Sequence, residues 1–109
     1  MSSARNDACV VLVTAPDAAV AQQLARHVLE QKLAACVNIV PAITSFFWWQ
    51  GKIDEQAESL LVIKTVATKL AALIEAVKKD HPYEVPEIIA LPIVGGSKDY
   101  LKWLGDSVE

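Results

Sequence analysis

The fold is decided by ACVNIVPAITSFFWWQGKIDEQAESLLVIKTV, residues 35–66. Residues 35–49 are rich in β-branched and aromatic side chains and predict a strand, although Pro41 within it favours an edge position or a bulge. The pair QG that follows is a turn signal, and residues 53–66 predict a second strand, paired with the first as a hairpin. Strands of this length reach ~45 Å at ~3.3 Å per residue, which is longer than such a small domain is wide.

A strand and a helix are predicted before the hairpin. Residues 8–15 are apolar and rich in valine, as in a strand that is buried on both faces. Asp17 is suited to cap a helix over residues 18–31, in which apolar side chains recur every four positions. They are Val20, Leu24 and Val28.

A helix and a strand follow the hairpin. Thr68 can cap a helix over residues 69–80, whose apolar residues have the i, i+3, i+4, i+7 spacing of one helical face. Residues 81–86, HPYEVP, predict a loop, because each proline disfavours helix at the residue before it. A strand over residues 87–94 and a short helix capped by Ser97 complete the order.

The predicted order, βαββαβ with a short terminal helix, is that of an α+β ferredoxin-like fold with a long hairpin between strands 2 and 3. Right-handed crossovers place both long helices on one face of an antiparallel sheet with strand order 4-1-3-2. Strand 3 then separates Cys9 from Cys36 by ~10 Å, too far for a disulfide, so both thiols are expected to be reduced. A chain of 109 residues has room for one domain, expected over residues 8–109 after a flexible segment at residues 1–7.

Composition and charge exclude several classes of protein. With 10 basic and 13 acidic residues and a net charge of −3, the chain lacks the basic surface of a non-specific nucleic-acid binder. No apolar run approaches the ~18 residues of a membrane span, so no membrane partner is expected. Residues 8–13 resemble a short secretory signal, but Arg5 and Asp7 cancel in charge. We therefore expect a core strand and a cytoplasmic protein.

The hydrophobic fraction of 53% exceeds what one small core needs. Strands 1, 3 and 4 are apolar on both faces, whereas the two long helices cover only one. The terminal helix can cover part of the second face, and another subunit would cover the rest. The aromatic hairpin tip, FFWW at residues 46–49, also indicates a partner surface or a site. The alternative to a projecting hairpin is a shorter one that folds over its own core.

Histidine and carboxylates lie together after the second predicted helix. His81 follows Asp80, and Glu84 and Glu87 are close in sequence, so a weak site for a divalent cation is one interpretation. No spacing such as CxxC or HExxH supports it. The favoured alternative is that His81 caps the end of the preceding helix.

Charged residues within apolar strands suggest a cleft of some kind. Glu58, Lys64 and Glu87 interrupt or begin strands that are otherwise apolar. In the structural alternative each is a satisfied charge at a strand end. Cys36 has no obvious base, and the GG pair at residues 95–96 lacks phosphate-loop spacing, so no nucleophilic or phosphate-binding chemistry is indicated.

The sequence resembles the CutA divalent-cation-tolerance family from about Val10 to Leu104. The matching stretches are Thr14-Ala15-Pro16-Asp17, Lys32-Leu33-Ala34-Ala35-Cys36-Val37-Asn38, Trp49-Gln50-Gly51-Lys52, Glu58 with Leu61 to Thr65, His81-Pro82-Tyr83-Glu84-Val85-Pro86-Glu87, and Tyr100-Leu101-Lys102-Trp103-Leu104. The resemblance implies a ferredoxin-like subunit, a tight homotrimer shaped like the PII signalling proteins, and a link to tolerance of copper and other divalent cations.

The same resemblance identifies the positions at which a copper ion would be bound. The family's bacterial copper site pairs a cysteine of the first strand with two histidines after the second helix, and these positions fall on Val13, Asp80 and His81. Only His81 keeps a copper-site ligand. No cofactor is required, and weak binding of copper or zinc by His81 and Asp80, lost as the imidazole protonates, is expected.

We therefore expect a non-enzymatic, cytoplasmic homotrimer of metal-ion tolerance with a ligand or signalling cleft between subunits. A divalent metal ion or a small molecule would be its ligand. Two alternatives remain open: a trimeric scaffold that anchors other proteins, and a small acylphosphatase-like hydrolase, for which residues 14–17 lack the needed arginine. The expected lining is Trp49, Lys52, Glu58, Lys64, His81, Tyr83, Glu87 and Trp103.

Overall fold

The computed structural model describes residues 7–109 as a four-stranded sheet and three helices. The strands are β1 (Ala8–Ala15), β2 (Cys36–Trp49), β3 (Lys52–Val66) and β4 (Ile88–Pro92), and the helices are α1 (Ala18–Glu30), α2 (Ala67–Asp80) and α3 (Lys98–Ser107). The expectation of a flexible N-terminal segment concerns mainly residues 1–6, which lie outside the described residues.

All strand pairs are antiparallel, and the strand order is β2-β3-β1-β4. This is the predicted order 4-1-3-2, so the α+β, ferredoxin-like prediction is confirmed. Cys9 lies on β1 opposite Thr65, and Cys36 lies on β2 opposite Lys64, so β3 separates the two cysteines. Both cysteines are free, as expected, with Cys9 buried and Cys36 half-buried.

The hydrophobic core lies between one face of the sheet and helices α1 and α2. Alternate residues of β1 and β3 point into it, which is the period of a strand with one face on a core. The main contributors are Val11, Val13, Leu24, Val28, Leu61, Ile63, Leu73 and Val77, each at most 2% exposed. Full burial of side chains of this size stabilises the fold by roughly 1.5–3 kcal/mol each.

Two of the three predicted helix caps are present. Asp17 Oδ1 accepts from the N–H of Val20 at 2.8 Å, and the Ser97 side chain accepts from the N–H of Tyr100 at 3.4 Å. The prediction for Thr68 is wrong, because β3 runs directly into α2 and leaves no loop before it. The N-cap is Val66, which makes no side-chain bond.

The second face of the sheet is apolar and only partly covered. Helix α3 packs Leu104 and Val108 against Ala8 and Val66 at one end of this face. Beyond α3, the face carries half-buried Val10, Leu12, Leu60 and Val62 and the more exposed Ile89 and Leu91. The terminal helix thus covers part of the face, as the sequence indicates, and leaves the rest open in a single chain.

The hairpin of β2 and β3 makes the molecule elongated, with dimensions of 52 × 25 × 22 Å. Its strands stay paired out to Trp49 and Lys52, so the alternative of a shorter hairpin is wrong. The register shifts between Val40 and Ile43, where two residues of β2 lie opposite one residue of β3. Pro41 therefore marks a β-bulge on an edge strand, the two positions that its missing N–H allows.

The bulge reverses which side chains of β2 share a face with those of β3. Before it, Asn38 and Val40 lie on the second face of the sheet; beyond it, Phe47 and Trp49 do. Glu58 lies on this same face, opposite Ile43. One extra residue in β2 thus places the rings of Phe47 and Trp49 on the same sheet face as the carboxylate of Glu58.

Candidate functional site

A buried carboxylate is the centre of the candidate site. Glu58 is 5% exposed, although it lies on the sheet face that α1 and α2 leave open. The Tyr83 hydroxyl donates a hydrogen bond to Glu58 Oε2 at 2.7 Å. Tyr83 belongs to the loop between α2 and β4, which crosses the end of β1 and brings the phenol over β3. The loop and the strand thereby form one side of a cleft.

Burial and the neighbouring carboxylate keep the Tyr83 phenol protonated. Loss of hydration raises its pKa most, followed by the hydrogen bond to Glu58 and by the charges of Glu58 and Asp17, to about 12 in all. Each cause disfavours the phenolate, because an anion beside an anion in a partly dry site is unfavourable. Tyr83 therefore remains a hydrogen-bond donor, and Glu58 the acceptor, over the physiological pH range.

His81 fixes the loop that carries Tyr83. The side chain is 7% exposed, and its Nε2 lies 2.7 Å from the carbonyl oxygen of Thr14 on β1. Its Nδ1 accepts from the backbone N–H of Tyr83 at 3.1 Å. Because Nδ1 accepts a hydrogen bond, Nε2 must carry the hydrogen and donate it to the carbonyl oxygen. The imidazole is therefore the neutral Nε2–H tautomer. The imidazole also packs against the phenol ring at a centroid distance of 4.8 Å.

Two adjacent cavities open between this loop and the hairpin, with volumes of about 480 and 510 Å³. Both are lined by Phe47, Trp49 and Tyr83, so the aromatic residues form their common wall. The larger cavity also reaches Glu58 and Glu87. Cavities of this size suit a small molecule with a few polar groups.

The family is shown by the sequence as well as by the fold. A family model described as CutA1 divalent ion tolerance protein matches residues 9–107. The chain belongs to the CutA1 family. For this CutA1 chain, the matched segment contains the cavity walls and the Glu58–Tyr83 pair.

Named relatives agree with this assignment. A Xenopus laevis protein named CutA homolog is 54% identical over 96 residues, 88% of this chain and 64% of that protein. The Escherichia coli divalent-cation tolerance protein CutA is 44% identical over 106 residues, 97% of this chain and 95% of that one. The crystal structure of CutA1 from Oryza sativa superposes with a TM-score of 0.92 at 51% identity, covering 97% and 96% of the two chains.

Some of these relatives are longer than the chain, and their names state no reaction. The chain spans 64% of the frog relative and 55% of a rice relative named Protein CutA 1, chloroplastic. The family description and these names refer to divalent ion tolerance and state no reaction. Within residues 7–109, no helix has the length and apolar character needed to cross a membrane.

The structure of this CutA1 member brings four of the predicted cleft residues together. Trp49, Glu58, Tyr83 and Glu87 all line the larger cavity. His81 lies behind the cavity wall and holds Tyr83, which makes it a positioning residue. Phe47 and Val85, which no prediction singled out individually, also line both cavities. All four residues of the FFWW run line the larger cavity, although only Phe47 and Trp49 lie on the sheet face of Glu58.

Three predicted cleft residues lie elsewhere in the single chain. Lys52 pairs with Trp49 at the hairpin tip and does not line either cavity in the described part of the chain. Lys64 is six residues from Glu58 along β3, roughly 20 Å away, and donates to Asn38 Oδ1. Trp103 stacks on Tyr100 of α3 at a centroid distance of 5.4 Å. Within one chain these three residues do not meet Glu58.

The two predicted metal ligands are not brought into one site. The Asp80 carboxylate is bound to Nδ1 of His27, at the end of α1, and both nitrogens of His81 are engaged. In residues 7–109, no three His, Cys, Asp or Glu side chains are arranged to hold a metal ion. Asp80 and His81 could ligate a metal ion only after one of these bonds breaks.

His27 is the partner that sequence reasoning missed. It joins α1 to α2 through Asp80 and contacts Gln31 one turn along its helix. The available signal was topological. Both residues lie in the last turn of helices that pack on the same sheet face, so their side chains meet although 53 residues separate them.

Proposed function

We propose that this chain is a non-enzymatic, homotrimeric protein of divalent-cation tolerance that binds a small molecule in the Glu58–Tyr83 cleft, at a boundary between subunits. The observation that carries the proposal is the buried Glu58 carboxylate, held by Tyr83 and facing a cavity with aromatic walls. Burial of an ionised carboxylate destabilises a folded protein, so a carboxylate retained at this depth is a candidate functional group.

The trimer is supported by the uncovered apolar face of the sheet. Leu12, Val62 and Ile89 lie side by side at its centre, and Ile89 is 51% exposed. A second copy on this face removes these side chains from water. It also supplies residues to the cleft from outside the first chain, which is how Lys64 and Trp103 of another subunit would approach Glu58.

A binding role is favoured over catalysis by the state of the polar groups. Glu58 already accepts from Tyr83, and His81 has no free nitrogen to act as a base. Residues 14–17, at the end of β1 and just beyond it, contain no arginine to hold a phosphate, which argues against an acylphosphatase-like reaction. In this proposal Cu(II) or Zn(II) binding by Asp80 and His81 is weak and is separate from the cleft.

Native mass spectrometry of the purified protein tests this proposal. We expect a trimer with a retained small molecule, and we expect the Glu58→Ala/Lys64→Ala variant to keep the trimer and lose that molecule. A folded monomer at micromolar concentration would contradict the proposal. A ligand retained equally by both proteins would place the binding site elsewhere.

One observation favours the scaffold alternative. Phe46, Trp48 and Ile53 lie on the other face of the hairpin and are 66%, 72% and 64% exposed. Exposed aromatic side chains of this kind are typical of protein interfaces. A trimer without any retained molecule, together with a protein partner lost on Trp48→Ser, would favour a scaffold.

A further inference from the structure

A second polar cluster lies on the open face of the sheet, towards the other end of β3 from Glu58. The Lys64 ammonium donates to Oδ1 of Asn38 on β2, and the Cys36 thiol donates to the same oxygen at 3.9 Å. Lys64 is half-buried, with Val10 and Cys36 as its cross-strand neighbours. One sheet face thus presents a carboxylate at one place and an ammonium group at another.

Helix α3 places aromatic side chains beside this second cluster. Burial raises the pKa of Tyr100 most, and the charge of Cys36 and a hydrogen bond to it raise that pKa further, so Tyr100 lies against the thiol. The ring of Trp103 packs on that of Tyr100, and in a single chain both remain more than 40% exposed. The ammonium group therefore lies next to an aromatic surface, as the carboxylate does at the hairpin.

Neither charge meets a counter-ion within its own chain. In residues 7–109, Lys64 and Glu58 form no ion pair. The ammonium is held by the neutral Asn38, and the carboxylate by the protonated Tyr83. Because Lys64 and Glu58 are six residues apart on β3, roughly 20 Å separates them, and one chain cannot join them. An ammonium group has three N–H donors, so those of Lys64 can serve Asn38 and a second acceptor together.

The two charged patches complement each other, and they lie at different places on the same chain. A contact between two such patches of identical subunits is head-to-tail, and it closes into a ring when each subunit offers one patch to the next. Within an apolar boundary a charge is destabilising unless a partner neutralises it. A trimer that buries the open sheet face therefore favours the arrangement in which the two charges meet.

We propose that Asn38 positions the Lys64 ammonium to form an ion pair with Glu58 of the next subunit, so that each cleft is completed head-to-tail around the trimer. The inference rests on the proposed function, since it assumes that assembly; it adds the contact that joins the subunits and the residue that orients it. Asn38 suits this role because its carboxamide is neutral. It restrains a flexible lysine and leaves the positive charge for the neighbouring carboxylate.

Subunits with exchanged charges test the contact. Full-length Glu58→Lys and Lys64→Glu, one of them labelled with nitrogen-15, are mixed in equal amounts, unfolded and refolded together. Random assembly gives pure and mixed trimers in a ratio of about 1:3:3:1. A pure trimer of either variant has a like-charge contact at every boundary, whereas a mixed trimer has it at one boundary only. Native mass spectrometry should therefore show mixed trimers enriched at least about tenfold over random assembly.

Glu75→Lys and Lys78→Glu are the matched control, because both residues are exposed on α2, which packs on the opposite face of the sheet. Their mixture should assemble at random. If the Glu58 and Lys64 variants do not fold separately, the two expressed together should still yield mixed trimers.

A double-mutant cycle gives a second measurement without charge reversal. Glu58→Gln and Lys64→Gln should each weaken the trimer, and the double variant should be at least about fivefold more stable against dissociation than the two single losses predict together. Asn38→Asp has the same shape and gives Lys64 a counter-ion in its own chain, so it should reduce this coupling about fivefold. Gln23→Glu adds the same charge at an exposed position of α1 and should leave the coupling unchanged.

The outcomes separate the inference from the proposed function. Random mixing of folded subunits, or additive losses in the cycle, overturns the ion pair and leaves the trimer in place. Full coupling in Asn38→Asp overturns the positioning role of Asn38. A folded monomer of the unmodified protein in the same spectra contradicts the proposed function itself.

Discussion

The hydroxyl of Tyr83 lies 2.7 Å from Oε2 of Glu58, a bond between residues 25 positions apart. It joins the loop after α2 to the point on β3 opposite the end of the bulge. Because His81 holds the same loop to the carbonyl of Thr14, the loop is fixed at two places, one on β1 and one on β3. The cleft is therefore largely formed before any ligand arrives.

Tyr83→Phe should lower the free energy of unfolding by about 1–3 kcal/mol at pH 7, because it removes the donor of a buried carboxylate. Chemical denaturation measures the change. Tyr100→Phe is the control, since Tyr100 is 41% exposed and should cost less. Equal costs for both variants would mean that the Glu58–Tyr83 bond contributes little.

Alkaline pH should weaken the fold through Tyr83. Its pKa is about 12 in the folded chain, compared with about 10 when unfolded, so the folded state holds the proton more tightly. This contribution is complete below pH ~10 and is lost as the pH rises towards ~12. Denaturation midpoints across that range should fall less in Tyr83→Phe than in the wild type, and parallel curves would argue against the assignment.

The elements and their order were predictable because the local signals agree with the global fold. The QG turn occurs as expected, with Gln50 and Gly51 at φ angles of 51° and 78°, as in the tight turns of hairpins. Strand β4 was predicted too long. It ends at Pro92, opposite Cys9, and one further backbone bond follows, from the N–H of Ile93 to the carbonyl oxygen of Ala8, where β1 begins.

The composition of the cleft was only partly predictable, because side-chain direction beyond the bulge depends on one residue. Without the extra residue at Pro41–Ala42, Phe46 and Trp48 would share the face of Glu58 in place of Phe47 and Trp49. The sequence indicates a bulge at the proline but not its width. Lys64 and Glu58 are six residues apart, which places them on one face of β3 but roughly 20 Å from each other along the strand.

Gly51→Ala should destabilise the protein by about 1 kcal/mol through the backbone alone. An added Cβ meets no atom within 4 Å, but the φ of 78° is unfavourable for a residue with a side chain. Gly95→Ala is the matched control, because its Cβ also meets nothing and its φ lies outside the left-handed region. Thermal unfolding of both variants should separate the effect of the backbone conformation from the effect of the added methyl group.

Leu12→Lys should break the proposed trimer, because Leu12 lies between Val62 and Ile89 at the centre of the open sheet face. A lysine there places charge in an interface that is expected to bury more than about 2,000 Å². Sedimentation should show dissociation or loss of folded protein. Leu29→Lys, at a residue 39% exposed on α1, should leave the mass unchanged. A trimeric Leu12→Lys would move the interface to another surface.

Metal binding at Asp80 and His81 should be weak and should depend on His27. An ion at His81 must displace the N–H of Tyr83 or the carbonyl of Thr14, and an ion at Asp80 must displace His27. His27→Ala frees the carboxylate, so Zn(II) or Cu(II) should bind more tightly to this variant than to the wild type. His81→Ala should bind more weakly than the wild type, since it removes the imidazole.

Titration calorimetry at pH 7.5 distinguishes these cases. Equal affinity in the wild type and His81→Ala would place the ion away from this loop. Tight binding of Cu(I) would instead point to Cys36, the half-buried thiol, because soft thiolates select that ion. The Cys36→Ser variant would then lose Cu(I) and keep Zn(II).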